Sequence, residues 1–137
     1  MKVCVLYAPA SKGNDKMKAI ANALSEGIAS QGHMVDVFDM SLEAGKIVSF
    51  YDYLIIGTET LTFFGGKIPN TVSGFLKTAG SISGKRCMAF ITKGGVRPMK
   101  TLQTLMKTME GEGMFLKKSE IINKVDLARA VGKHVKN

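Results

Sequence analysis

Cysteine is scarce in this sequence, with two residues, Cys4 and Cys87, in 137. That is too few for a disulfide scaffold, and each lies in an apolar run where a free thiol behaves as a small hydrophobe. Histidine is equally scarce. His33 and His134 are far apart in the chain and no Cys-x-x-Cys pair occurs, so no ordinary structural zinc site is expected. No stretch approaches the roughly eighteen apolar residues of a membrane span. Ala8-Pro9-Ala10 imitates a signal-peptidase site, but the apolar run before it, Val3 to Tyr7, is shorter than a signal-peptide core and reads as a strand. The expectation is a cytoplasmic protein. Two nucleotide-binding signatures are also missing. There is no Gly-x-x-x-x-Gly-Lys-Ser/Thr phosphate loop, and no Gly-x-Gly-x-x-Gly follows the first strand.

What remains is ordinary globular composition, 45% apolar and 22% charged, at the length of one domain spanning residues 1–137. Charge is unevenly placed along it. Residues 1–66 carry five lysines against seven carboxylates, whereas residues 67–137 carry fourteen lysines and arginines against four, for a net charge of +8 overall. A basic half of this kind suits an acidic partner or a polyanion. The lysines are dispersed, with no long run and little aromatic interleaving, so they also read as a solvated surface and nucleic acid is not expected.

Apolar patterning alternates strand and helix from end to end. Lys2–Tyr7, His33–Phe38, Tyr51–Gly57 and Arg86–Ile91 read as strands, and a weaker one lies within Met114–Ile122. Between and after them, helical spacing links Met17, Ile20, Leu24 and Ile28; then Val72, Phe75 and Leu76; then Leu102, Leu105 and Met109; then Val125, Ala128 and Val131. Strands alternating with helices imply a parallel sheet with right-handed crossovers. Five strands in this length predict an α/β fold, a three-layer α/β/α doubly wound five-stranded parallel sheet of order 2-1-3-4-5.

In such sheets the ligand crevice lies beyond the carboxyl ends of the strands, where strand order reverses. The loops after the first, third and fourth strands are rich in glycine, hydroxyls and lysine. In the first, Ala10, Ser11, Lys12, Gly13, Asn14 and Asp15 lead into a helix N-terminus, whose free N–H groups favour an anion. The simpler alternative is a turn in which Asn14 or Asp15 caps the helix. The second loop carries Thr58, Glu59, Thr60, Leu61, Phe63, Phe64 and Gly65. One of its two adjacent phenylalanines can close the end of the core, leaving the other as a wall against a planar ring. The third, Thr92, Lys93, Gly94 and Gly95, offers unobstructed backbone N–H groups.

With these loops in view, the whole chain resembles the flavodoxin family, short-chain type. Gly13-Asn14 match the core of that family's first loop, which ends Thr-Gly-Asn-Thr and wraps the phosphate of FMN, and Ser11 stands where a hydroxyl serves. Gly57, Thr58 and Thr60 resemble its second loop, as does the exit Phe64-Gly65-Gly66-Lys67-Ile68-Pro69, and Gly94-Gly95 fit the loop beside the flavin. The resemblance implies FMN as cofactor, electron transfer as activity and a redox partner protein, here an acidic one given the basic second half. Lys12 and Asp15 depart from the family, which usually has threonine there, and Glu59 replaces a common proline.

Rival chemistries lack their residues. A phospho-acceptor domain of the same strand order needs acids after the first strand and at the end of the third, where this chain has Tyr7-Ala8-Pro9 and Gly57-Thr58. Neither histidine is placed for acid–base or nucleophilic catalysis in the crevice. The surviving alternative is a binding or regulatory module on the same scaffold that has lost FMN and uses its basic surface for an acidic partner.

Overall fold

The computed structural model describes residues 1–10, 15–61, 65–92 and 97–136. Nine elements follow one another: β1 (Lys2–Ala8), α1 (Asp15–Ala29), β2 (Met34–Asp39), β3 (Tyr53–Glu59), α2 (Asn70–Lys77), β4 (Arg86–Thr92), α3 (Pro98–Gly111), β5 (Phe115–Ile121) and α4 (Val125–Lys133). All strands pair in parallel in the order β2-β1-β3-β4-β5, as the patterning predicts.

The three central strands are buried on both faces, which is why they are continuous apolar runs rather than alternating ones. Successive side chains point to opposite sides of the sheet. Leu6, Leu54, Ile56 and Ile91 face Val72, Phe75, Leu102 and Leu105 of α2 and α3. Val5, Ile55, Met88 and Phe90 face Met17, Leu24, Ile28 and Val131 of α1 and α4. The outer strands are only half buried and carry charge, Asp36 and Asp39 on β2 and Lys117, Lys118 and Glu120 on β5. Charged edges of this kind discourage pairing with another sheet.

Two close approaches fix the packing. A methyl group on Gly57 of β3 would lie 2.0 Å from the Phe90 ring, so glycine here is the space that the ring of β4 occupies. Between α1 and α4, a methyl group on Gly27 would meet the Arg129 carbonyl oxygen at 2.1 Å, and one on Gly132 the Leu24 carbonyl oxygen at 2.2 Å. The two helices therefore touch backbone to backbone.

Strand ends differ from the sequence reading by a residue or two, with consequences at the crevice. The third strand begins at Tyr53 rather than Tyr51. Tyr51 is held in a turn, its N–H donating to the Val48 carbonyl and its hydroxyl to Asp36 Oδ2. The same strand runs on to Glu59, and β4 runs on to Thr92, so Thr58, Glu59 and Thr92 are strand residues rather than loop residues.

Candidate functional site

The sheet order reverses between β1 and β3, and the connections leaving β1, β3 and β4 all start at that carboxyl end. The link from β1 to α1 is short, and α1 begins at Asp15, so the helix N-terminus returns to the same end. That places a dipole favouring anions beside the crevice.

Three hydroxyls expected to face a ligand are turned inward. Thr58 is fully buried and donates to the Ala8 carbonyl at 2.6 Å, pinning β3 to β1. Thr92 is buried against Met17, its hydroxyl 3.9 Å from the Met17 sulfur. Thr60 lies 2.9 Å, hydroxyl to hydroxyl, from Thr101 of α3. For the two buried ones the physical reason is shared. At the end of a strand buried on both faces, a hydroxyl out of reach of water needs a protein partner, the Ala8 carbonyl for Thr58 and the Met17 sulfur for Thr92. Thr60 lies half-buried just past β3.

Glu59 has a different role. Its carboxylate Oε1 accepts the Ala10 N–H at 2.7 Å, so the departure from β1 is tied to the end of β3 by a charge-assisted hydrogen bond. One amide of the first loop is thereby committed to a carboxylate. Asp15 is the first residue of α1 and is exposed, where its charge favours the helix dipole. It is a member of the helix rather than the residue before it.

The loop from β3 to α2 closes on itself, Leu61 N–H donating to the Lys67 carbonyl at 2.9 Å. It is fastened to α3 by residues that the sequence reading missed. The buried Thr101 hydroxyl accepts the Gly66 N–H at 3.1 Å, and Thr104 donates to the Gly66 carbonyl at 2.8 Å. Their signal was present in the threonines at 101, 104 and 108, a polar line at helical spacing beside the apolar Leu102 and Leu105. Gly65 has φ +79°, and a methyl group there would lie 2.6 Å from the Arg97 carbonyl oxygen. Both the left-handed backbone and the close approach of the α3 entry require glycine. Leu61 is exposed on the outside of this loop.

Of the expected site residues, Ala10, Asp15, Thr58, Glu59, Thr60, Leu61, Gly65 and Thr92 are thus placed around one end of the sheet. Ser11, Lys12, Gly13, Asn14, Phe63, Phe64, Lys93, Gly94 and Gly95 lie outside the described residues. The described part is a frame: its buried side-chain polar atoms all have hydrogen-bond partners. The thiols take no part. Burial, with Asp36 as a smaller contributor, pushes Cys4 up to about 12, and burial with Glu110 does the same for Cys87. Both are neutral core groups rather than thiolates.

No known protein family matches the chain as a sequence, and no curated protein does. Solved structures do match in shape. Oxidised flavodoxin 1 from Bacillus cereus superposes with a TM-score of 0.72 over 99% of this chain and 100% of its own, at 18% identity. A flavodoxin from the domain Archaea gives 0.71 over 97% and 94%, at 20% identity. The fold is that of the flavodoxins. The flavodoxin fold also carries the NAD(P)H:quinone oxidoreductase of Methanothermobacter marburgensis, which matches with a TM-score of 0.64 over 100% of this chain and 96% of its own, at 15% identity.

An anion suits the described frame. The α1 N-terminus and the β1 connection meet at the switch point, and Lys16, Lys67, Arg97 and Lys100 outnumber Asp15 and Glu59 among the described charged residues of these loops and helix starts. Among the described residues, the Glu59 and Asp15 carboxylates oppose a dianion there.

Proposed function

We propose that the chain is a cytoplasmic electron-transfer flavoprotein that binds FMN at the carboxyl ends of β1, β3 and β4. The observation that carries this reading is the convergence of three glycine- and hydroxyl-rich connections on the switch point of a flavodoxin fold, with the first entering a helix N-terminus after a short link. The first loop, with Ser11, Lys12, Gly13 and Asn14, would hold the phosphate. The second, carrying Phe63 and Phe64, and the third, with Lys93, Gly94 and Gly95, would hold the ring. FMN supplies the redox chemistry when bound, as an acceptor and donor of one or two electrons.

The protein's own part is positional. Thr58 and Glu59 lock the ends of β1 and β3 together, so that the phosphate loop and the ring loop keep one separation. Thr101 and Thr104 hold the second loop against α3 through both polar groups of Gly66. Fastening the loop at Gly66 limits the rearrangement needed there when a ring enters, which lowers the cost of binding.

Reconstitution tests the reading. Purified protein mixed with FMN and passed through a desalting column should retain a flavin absorption spectrum, bleach with dithionite and pass electrons to ferricyanide. Colourless protein after desalting would remove the electron-carrier reading and leave the basic surface as the working part of the molecule.

A further inference from the structure

Beside the second loop, a groove of about 530 Å³ runs between the start of α2 and the outer face of α3. Leu61, Gly66, Lys67 and Ile68 line one end, and Ser73, Thr104 and Thr108 the length of it. Among the described residues, no carboxylate lines it. Its hydroxyl protons are already spent inside the protein: Thr104 donates to Gly66 O, Thr108 to Thr104 O and Ser73 to Asn70 O. The donors left for a visitor are the Asn70 side-chain amide and the lysines of the rim. Lys67 is exposed on the rim, and Lys100 runs its chain over Gly66, within 3.0–3.4 Å of where a methyl group there would sit. Among the described residues, no carboxylate forms an ion pair with Lys67, Arg97, Lys100 or Lys107. Two large apolar side chains stand out at this end, Leu61 at 49% and Met99 at 55% exposed.

Exposed apolar residues ringed by unpaired charge of one sign have the anatomy of a transient protein-binding face. We propose that the α2–α3 groove and its rim, Leu61, Lys67, Arg97, Met99 and Lys100, form the docking face for an acidic protein that exchanges electrons with this chain. Electron exchange by such a partner rests on the flavin reading above, and its acidity on the basic side chains of the rim. The groove begins at the second loop, so a partner seated on it lies against the proposed ring site. A nucleic acid fits less well, because the basic residues of the chain are dispersed and form no long run.

The test uses the full chain and a plant-type ferredoxin, an acidic redox protein, carrying a fluorescent label. Anisotropy titration at low salt should give saturable micromolar binding that weakens at least tenfold in 0.5 M salt. Lys67→Glu/Lys100→Glu should weaken it at least tenfold, while Lys133→Glu on α4 should change it less than twofold. All three substituted lysines are exposed, and a thermal melt of each variant checks that it is folded. No saturable binding, equal loss in the Lys133 variant, or tighter binding to a mixed-sequence RNA oligomer that falls with the same double variant would each overturn the docking face. An FMN titration of the same samples separates the two readings. Ferredoxin binding that depends on Lys67 and Lys100 in a chain that takes up no FMN would uphold the face and refute the flavin.

Discussion

Replacing Glu59 should move stability and cofactor affinity in opposite directions. The carboxylate accepts the Ala10 N–H at 2.7 Å in a half-buried position. Hydrogen bonds to charged groups contribute about 1.5–3 kcal/mol, and partial exposure puts this one at the lower end. Glu59→Ala should therefore cost about 1.5 kcal/mol, and Glu59→Gln, which keeps an uncharged acceptor, about half that. At roughly 4 °C per kcal/mol for a chain of this size, the melting temperature should fall by about 6 °C and about 3 °C. Affinity should change the other way. A carboxylate bonded to one amide of a loop would lie about 6 Å from a dianion bonded to its neighbours, and at an effective dielectric of about 55 each charge pair would cost about 1 kcal/mol. Glu59→Gln should then tighten FMN about five- to thirtyfold and leave riboflavin, which has no phosphate, unchanged. Thermal unfolding of the apoprotein and fluorescence titration with both flavins measure the two effects. Equal changes for FMN and riboflavin, or a melting temperature that does not fall, would refute the claim that Glu59 holds the phosphate loop by its charge.

Three further outcomes follow from the geometry. Gly57→Ala forces a methyl group to 2.0 Å from the Phe90 ring and should destabilise by about 3 kcal/mol, read by urea denaturation, with most of the loss recovered when Phe90→Leu removes the obstructing ring. Asp15→Thr should tighten FMN by about 1–2 kcal/mol if the carboxylate faces the phosphate; unchanged affinity in a titration would assign Asp15 to the helix dipole alone. Stability should be lost in alkali. Burial raises both thiols from 9.0 to about 12, so below pH 9 folded and unfolded chains hold these protons alike. Between pH 9 and 12 only the unfolded chain releases them, and stability falls as pH rises. Urea midpoints across that range should decline, and Cys87→Ala should make the decline shallower.

How much of this was legible in the sequence depended on where the determining contact lay. The central strands could be read because burial on both faces leaves a continuous apolar run, as in Leu54-Ile55-Ile56. The crevice could be placed because its connections are marked by glycine, and Gly65 does stand where a positive φ is needed. Roles within the crevice were less accessible. Thr58, Thr60 and Thr92 look alike in sequence to ligand-facing hydroxyls, yet each spends its hydrogen bond or its packing on a residue from another element: Ala8, Thr101 and Met17. Glu59 reads as a departure from the family's proline, and only the packing of β1 beside β3 brings it to Ala10. Thr101 and Thr104 belong to a helix remote in sequence from the loop that they fasten. The α2–α3 groove has no sequence signature, because its members come from three separate segments.

The central claim is that the crevice at the ends of β1, β3 and β4 recognises FMN through its phosphate. Parallel titrations of the apoprotein with FMN and riboflavin, followed by quenching of flavin fluorescence, test it most directly. The account predicts submicromolar FMN binding at least tenfold tighter than riboflavin. Equal affinity for the two, or binding of neither, would contradict it.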